Sequence, residues 1–493
     1  MNGEYYSLEK QLDLLKKINR IKIGGILVYD YFSYQNSSLW CFYQHFIWRN
    51  IEQFGKNPDF FKKGKKVALN YRLFQFFIGF FIFIISSFSF LVFYFRKSKA
   101  VFQTLDKLTG ARKNDQKLDV VYKFLADRKI IFGQFLRASV NKRTFVNFFK
   151  RGKLVFYLES ADFLFSILPK CIIKKNFQSV ENKSVDFSEF SENEKLFAEW
   201  ILNKCGKAAE LSVFKIEIFK KAVKLLKPKI FLMSDDYVYG NEIHLAAKLQ
   251  KIKTYSFQHG RFNKFLPMFI NYGIPPEKCL VFDEYFVWND FWKNKLINLS
   301  PMYGARNSNV KVGGKPFFEK NREFIKIVPD GVITVLIPYE TIAPKNEIRE
   351  YIEKILSCPK TRIIFKLRKD INFDKQIEEA GLKEFQKNPR FVLESDLTPQ
   401  ILEKIDIVCG TYSTMLYEMV EVGKPIAIMK TSRSEAEDMV EDGLASWLDT
   451  DSPDFCGDLK KIAETNEKIL IKNSDLLKTT VNLEDELKRI FYS

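Results

Sequence analysis

Residues 73–95 read LFQFFIGFFIFIISSFSFLVFYF, a run that is apolar apart from Gln75 and three serines. As a helix it extends about 35 Å, enough to cross the hydrocarbon core of a bilayer. Cations bracket it, with Lys62, Lys63, Lys65, Lys66 and Arg72 before and Arg96, Lys97 and Lys99 after. Basic residues on both flanks set no inside–outside bias. Ahead of the run, residues 21–29 (IKIGGILVY) read as a buried strand with a turn at Gly24-Gly25. Behind it, 153–158, 229–233 and 253–257 have strand character. If the first strand shares a sheet with the later ones, a single crossing would leave it on the wrong side of the membrane. The expectation is a re-entrant or in-plane helical hairpin broken near Gly79 or Ser86-Ser87. It ranks ahead of a single span and of a buried core helix.

A chain of 493 residues exceeds the size at which one hydrophobic core keeps growing, so two domains are expected. More than half of the 49 Phe lie before residue 170, so the two ends of the chain have different tasks. The formal net charge of +18 favours an anionic partner, unless it reflects only an AT-rich coding bias towards lysine. Acidic lipid and phosphorylated substrates qualify. Nucleic acid is not expected, because no binding module for it is recognisable. Seven Cys sit far apart, at 41, 171, 205, 279, 358, 409 and 456. Their odd count and the lack of any CxxC argue against a disulfide framework and for a reduced, cytoplasmic protein. The polar, amphipathic N-terminus is not a secretion signal.

From about residue 190 the pattern alternates regularly between helix and strand. A helix over 192–227 is followed by strands at 229–233, 253–257, 279–282, 285–288 and 310–313, with a helix over 242–250. A second series follows the polar stretch 317–326. It has strands at 331–337, 362–366, 391–393, 405–409 and 425–429, and helices at 345–357, 373–380, 399–404 and 411–422. Helices alone are expected from there to the end. Such alternation builds parallel, doubly wound sheets. The fold class is therefore α/β, with two Rossmann-like domains. Residues 1–325 form an N-terminal, acceptor-side domain that carries a hydrophobic, membrane-associating helical insertion (about 62–99). Residues 326–493 form a C-terminal domain that binds a nucleotide donor. Two such domains imply a cleft.

In open parallel sheets, ligands bind beyond the carboxyl ends of the strands, so candidate residues follow each strand. After 229–233 come Asp235 and Asp236. One can act as a base or orient an acceptor hydroxyl, while the other caps the next helix. After 253–257 come His259, Gly260 and Arg261. An imidazole at a strand end can be neutral near pH 7 and accept a hydroxyl proton, and Arg261 can hold phosphate by paired hydrogen bonds. His45 and His244 lack this setting and read as structural. After 362–366, alternation puts Lys366 and Arg368 on one face, where two cations suit a diphosphate. The stretch Cys409-Gly410-Thr411-Tyr412-Ser413-Thr414 takes a buried strand through a glycine into hydroxyl residues and a helix start. A helix start of this kind offers N–H groups and a positive dipole to phosphate, or else Ser413 and Thr414 serve as a plain N-cap. Glu418, one turn on, can accept from ribose or sugar hydroxyls. No metal-ligand cluster is recognised, so no metal and no cofactor is expected.

The stretch GTYSTMLYEMVEVGKPIAIM resembles the donor-binding region of GT-B glycosyltransferases that build bacterial surface polysaccharides. Their relatives include Kdo and sialic acid transferases and CDP-glycerol glycerophosphotransferases. The resemblance implies that Gly410, Thr411, Ser413 and Thr414 bind a nucleotide diphosphate, with Glu418 near the nucleotide. His259-Gly260 is similar to a His-Gly of that group, in which the histidine is a proposed base. Val312-Gly313-Gly314-Lys315-Pro316 is similar to the turn leading out of its first domain. The likeness covers about 228–430. Many relatives carry Lys-x-His-Pro where this chain has Lys366-Leu367-Arg368-Lys369. An arginine there can neutralise phosphate but cannot act as an acid or base near pH 7. The implied activity is metal-independent transfer of a sugar from a nucleotide-activated donor to a lipid-linked or surface glycan acceptor, at the cytoplasmic face of the membrane, in the synthesis of capsule or lipopolysaccharide. Alternatives are a CDP-glycerol-type phosphotransferase and a catalytically inactive membrane scaffold.

Overall fold

The computed structural model describes residues 7–58, 60–62, 69–97, 100–105, 118–137, 142–151, 154–168, 177, 183–233, 240–316, 331–369, 371–479 and 481–492. The chain divides into two compact units. One is Met1–Phe318 with Val481–Ser493; the other is Glu319–Thr480.

In the first unit the larger elements run in the order α1 (Leu8–Asn19), α2 (Gln44–Lys56), α3 (Leu69–Arg96), β1 (Ala100–Leu105), α4 (Asp119–Asp127), β2 (Phe132–Arg137), α5 (Lys142–Arg151), β3 (Phe156–Tyr157) and α6 (Glu159–Ile167). They continue through α7 (Glu192–Leu226), β4 (Ile230–Met233), α8 (Asn241–Leu249), β5 (Lys253–Phe257), β6 (Glu284–Val287), α9 (Asp290–Leu299) and β7 (Val310–Val312). The seven strands form one parallel sheet, ordered β7-β6-β5-β4-β1-β2-β3. The order reverses direction between β1 and β4, which is the doubly wound pattern. The long helix α7 starts at a capping box made by Ser191 and Glu194 and stops at Lys227, which takes the left-handed conformation (φ 48°).

Residues 21–29 do not enter this sheet. They form a hairpin of two-residue strands, Lys22–Ile23 and Ile26–Leu27, because Gly24 and Gly25 both take positive φ and turn the chain at once. The chain ahead of α3 nevertheless packs on the same unit. The buried Asn19 amide donates to Gln44 Oε1 (2.9 Å) and to the Tyr272 carbonyl (2.8 Å), and Trp40 Nε1–H donates to Asn19 Oδ1 (2.7 Å). Residues 279–282 also form no strand; the chain joins the sheet only at Glu284.

The apolar run is one unbroken helix, not a hairpin. Its buried positions, Ile78, Ile82, Ile85, Ser86, Ser89 and Phe93, recur at three- and four-residue spacing. Ile78, Ile82 and Ile85 pack with Leu136, Val155 and Tyr157 of the sheet. The small residues that were expected to break the helix instead permit close packing. A Cβ on Gly79 would stand 2.6 Å from Phe163 Cδ2. The Tyr157 N–H donates to Ser86 Oγ at 2.9 Å.

In the second unit the order is β8 (Ile333–Pro338), α10 (Lys345–Ser357), β9 (Thr361–Lys366), α11 (Phe373–Glu379), β10 (Phe391–Glu394), α12 (Pro399–Glu403), β11 (Ile407–Gly410), α13 (Thr414–Glu421), β12 (Ile426–Met429), β13 (Ser446–Leu448), α14 (Phe455–Ala463) and α15 (Glu467–Leu477). Its six strands are parallel, ordered β10-β9-β8-β11-β12-β13. That is the 3-2-1-4-5-6 order of a Rossmann domain, with the reversal between β8 and β11. The helices α10 and α14 cover one face of the sheet with Ile352, Ile355, Leu459 and Ile462. They also bring Cys358 and Cys456 together in a disulfide across 98 residues of sequence, so the expectation of reduced thiols throughout fails at this pair. Cys41, Cys205, Cys279 and Cys409 are free and buried.

Strand β13 was not foreseen. The final helix α16 (Leu483–Tyr492) was expected to belong to the C-terminal domain. It returns instead to the first unit, where Leu483, Leu487 and Ile490 join Val121, Leu125 and Leu232 in one core.

Lys424, just ahead of β12, is 1% exposed and donates through Nζ to the Ile405 carbonyl (2.8 Å). Burial pushes its pKa down to about 8, against the pull of Asp406 and Glu403. Below that pH the lysine is charged in both states, and burying the charge destabilises the fold. Between about 8 and 10.5 the folded form releases its proton first, so stability rises with pH. Unfolding of the parent and of Lys424→Met, followed at pH 7 and again near pH 10.5, should show the parent gaining on the order of 3 kcal/mol relative to the variant.

Candidate active site

At the reversal of the second sheet, β8 and β11 deliver their loops side by side. Leu336 is in register with Val408, so the residues beyond Pro338 face those beyond Gly410. Glu340, 5% exposed, sits in this gap. Its Oε2 accepts from the Thr411 N–H (2.8 Å) and the Thr411 hydroxyl (2.6 Å), and its Oε1 accepts from the N–H groups of Tyr412 (2.9 Å) and Ser413 (2.7 Å). Four donors converge on one carboxylate. Burial pushes the Glu340 pKa up, and the Thr411 hydroxyl and the three N–H groups oppose that rise. Gly410 favours this approach, since a Cβ there would lie 3.1 Å from Glu340 Oε1 and 3.0 Å from Leu416 Cδ2, closer than ordinary van der Waals contact. The Tyr412 hydroxyl accepts from the Ile342 N–H (3.0 Å) and pairs with Thr341 Oγ1 (3.0 Å), a second tie between the same loops.

These bonds fix the start of α13. Ser413 is its N-cap, accepting from the Met415 N–H at 3.3 Å, and Thr414 opens the helix, half-buried. Glu418 lies one turn further along, also half-buried. Burial lowers the Lys366 pKa, while the Glu418 charge pulls it back up and Arg368 pushes it further down. Lys366, Arg368 and Glu418 therefore share one electrostatic neighbourhood. The Arg368 backbone is held by the buried Gln376, which accepts from its N–H (2.7 Å) and donates to its carbonyl (2.7 Å). One further cation stands in the gap. Lys345, in the first turn of α10, donates to the Glu340 carbonyl (2.7 Å) and lies 4.3 Å from the centre of the Tyr339 ring. Burial lowers its pKa, countered by Glu379 and Glu340.

The next loop, after β12, is bonded to this one. The Ala436 N–H donates to the Thr411 carbonyl (2.8 Å). Within it, the buried Arg433 places Nε (3.0 Å) and Nη2 (2.9 Å) on Glu435 Oε1.

Of the residues singled out from sequence, Lys366, Arg368, Gly410, Thr411, Ser413, Thr414 and Glu418 gather at the carboxyl edge of the second sheet. Reading the sequence missed Glu340, Lys345, Gln376, Arg433 and Glu435. Glu340 lies just past the strand end, two residues beyond Pro338, and was recoverable from that position. The other four have no local signal, because only the packing of loops identifies them. A diphosphate expected on the amides after β11 would find those of Thr411, Tyr412 and Ser413 bonded to Glu340. What this edge offers an anion is the hydroxyls of Ser413 and Thr414, the start of α13, and the cations Lys345, Lys366 and Arg368.

In the first unit, His259, Gly260 and Arg261 follow β5 at the carboxyl edge of its sheet. Gln258 locks this turn. Its amide donates to the Gly260 carbonyl (2.8 Å), and its two oxygens accept from Trp288, Oε1 from the backbone N–H (3.0 Å) and the carbonyl from Nε1–H (2.8 Å). His259 is half-buried there. Asp235 and Asp236 lie outside the described residues. His244 is fully buried against Phe282, ring centroids 3.9 Å apart, and burial holds its pKa well below the ordinary value, so it is neutral and structural. Among the described residues no group of three or more His, Cys, Asp or Glu side chains is placed to hold a metal ion.

The sequence matches no family model and no curated protein. Among solved structures it is similar to the UDP-GlcNAc 2-epimerase from Neisseria meningitidis bound to UDP-GlcNAc (14% identity, 80% of this chain and 98% of that one, TM-score 0.45). It is also similar to MurG of Acinetobacter baumannii (11%, 80% and 99%, TM-score 0.45). A third is the glycotransferase of kitacinnamycin (11%, 80% and 98%, TM-score 0.47). At these values the likeness is loose, and the fold class rests on the strand orders and registers given above.

Replacing Glu340 by Ala leaves the buried N–H and hydroxyl of Thr411 and the partly buried N–H groups of Tyr412 and Ser413 without their acceptor. Chemical denaturation of Glu340→Ala should show a loss of about 3 kcal/mol, where an exposed glutamate such as Glu353 would cost almost nothing.

Proposed function

We propose that the chain is a glycosyltransferase that takes a sugar from a nucleotide diphosphate or monophosphate donor and transfers it to a lipid-linked or surface glycan at the cytoplasmic face of the membrane. The observation that carries this reading is the edge at β8 and β11. A doubly wound sheet reverses there, a carboxylate rigidifies the loop, and a helix start lies in a unit that also sets three partly buried cations at that edge. An anionic donor matches such a site, and a neutral ligand has no use for it.

The donor phosphates lie against Ser413, Thr414, Lys366 and Arg368, with Lys345 adding charge. Glu418 accepts from a donor hydroxyl. As the bond between the anomeric carbon and the phosphate oxygen breaks, its electron pair stays on the leaving nucleotide, and the fixed cations stabilise that charge. The acceptor hydroxyl oxygen forms the new bond to the anomeric carbon, and its proton passes to His259, a strand-end imidazole held in place by the Gln258 turn. Asp235 and Asp236 remain alternatives for that base. A CDP-glycerol-type phosphotransferase is the alternative that keeps this edge, since its donor diphosphate would meet the same cations and that enzyme would transfer the alcohol phosphate rather than a sugar. The Arg368 departure bears on the third reading, an inactive scaffold. A membrane scaffold of the same fold would bind no nucleotide.

Thermal-shift measurements with UDP, CMP, CDP and CDP-glycerol distinguish the three readings. Stabilisation by UDP supports sugar transfer, and stabilisation by CDP-glycerol supports the phosphotransferase. The leaving nucleotide of the phosphotransferase is CMP, so stabilisation by CMP alone fits either enzyme, and a flat response to all four rejects both. Lys366→Ala combined with Arg368→Ala should weaken the binding of the active nucleotide at least about tenfold. His259→Ala should leave nucleotide binding intact and slow turnover by about 10²–10⁴-fold. Full turnover in that variant removes the imidazole from the base role.

A further inference from the structure

We infer that α3 is a monotopic docking face for an anionic lipid bilayer, with the helix axis in the membrane plane and one side of the helix held by the protein. This deepens the membrane placement in the reading above and does not depend on the donor site.

The helix is 28 residues long, about 42 Å, and its two sides differ. One side is fixed to the sheet through Ile78, Ile82, Ile85 and the Tyr157–Ser86 hydrogen bond. The other exposes Phe77 (66%), Phe80 (49%), Ile84 (50%), Phe88 (58%), Leu91 (52%) and Phe95 (76%), which fall along one stripe at helical spacing. One neighbouring helix extends the stripe. Phe148 of α5 meets Phe81 edge-on (5.9 Å between centroids), and next to it Phe149 is 71% exposed, while the buried Phe163 of α6 supports Phe76 and Phe80. So large an apolar surface on a water-soluble face would need a partner.

Two features identify that partner. A transmembrane span needs lipid on every side, and here one side is hydrogen-bonded to the sheet while the chain on both ends of the helix packs into the same unit. Only half of the helix is available to lipid, which is the geometry of an in-plane amphipathic element. One end of the stripe is cationic, with Arg96 and Lys97 exposed there, and Lys150 is exposed beside Phe149. The sequence ahead of the helix carries Lys62, Lys63, Lys65 and Lys66. Pairing with a second copy of the chain about a two-fold axis would bring these like charges together. An anionic headgroup layer neutralises them.

The test uses the full-length protein and flotation with vesicles of phosphatidylcholine alone or mixed with phosphatidylglycerol. The parent should float with the mixed vesicles and only weakly with phosphatidylcholine. The triple substitution Phe77→Glu, Phe88→Glu and Leu91→Glu should cut the bound fraction at least about tenfold, with unchanged circular dichroism and unchanged nucleotide binding. Phe88 is mid-helix, so Phe88→Trp should be quenched more by lipids brominated near the headgroup than by lipids brominated near the chain end. Equal flotation of the triple variant overturns the inference, as does strongest quenching by the deepest bromine, which would indicate a span. A parent dimer that the triple variant converts to monomers, without vesicle binding by either, would assign the stripe to a second copy. Because nucleotide binding is measured in the same samples, loss of flotation and loss of the donor site are told apart.

Discussion

A single buried carboxylate organises the second unit. Glu340 extends from the end of the first strand and takes three backbone N–H groups and a hydroxyl from the loop after the fourth. A loop rich in unpaired N–H groups next to a sheet reversal would otherwise be costly to hold in one conformation. With Glu340 in place, Ser413 is set as the N-cap of α13, Tyr412 is directed back to Thr341 and Ile342, and the Thr411 carbonyl is free to bond the loop after β12. The site is rigid because its parts are bonded to one another before any ligand arrives. That is the condition for electrostatic stabilisation of a leaving group, since donors and cations that need not reorganise contribute more.

The same carboxylate changes which groups are available. The three amides nearest the reversal are occupied, so an anion bound as proposed would meet the helix start and lysines whose charge is partly desolvated. Lys366 and Lys345 both have lowered pKa values because of burial. Desolvated cations of this kind interact more strongly with phosphate than exposed ones, because less water screens them.

The first unit puts the same winding to a different use. Its sheet buries one side of an apolar helix that follows the rules of ordinary helix-on-sheet packing, with isoleucines at helical spacing and a serine bonded to a strand. The opposite side keeps phenylalanines where a soluble protein would place lysine and glutamate. One helix is thus a structural layer of the domain and a surface feature at the same time. This explains how a run with the hydropathy of a membrane span can precede an interior strand of a sheet without breaking the fold.

The sequence by itself determined the alternation of strands and helices from residue 190 onward, the parallel sheets that follow from it, and most elements of the second unit to within two or three residues. It also located Lys366, Arg368 and the Gly410–Thr414 turn, because strand ends and helix starts have local signals in glycine, hydroxyl residues and periodicity. It placed the turn at Gly24-Gly25 correctly but took residues 21–29 for a strand of the main sheet, where they form only a short hairpin of their own, and it took 279–282 for a strand that does not form. It misread Gly79 and Ser86 as breaks because small residues mark a turn and a close contact equally well, and only the presence of Phe163 and Tyr157 distinguishes them. Glu340, Lys345, the Arg433–Glu435 pair, the Cys358–Cys456 bond and the return of the last helix to the first unit were decided by the tertiary structure. The Glu340–Thr411 bonds, the disulfide and the last helix join residues far apart in the chain, while Lys345 and the Arg433–Glu435 pair bond residues five and two positions away. In both cases the energy resides in burial and hydrogen-bond geometry that no local pattern of residues encodes.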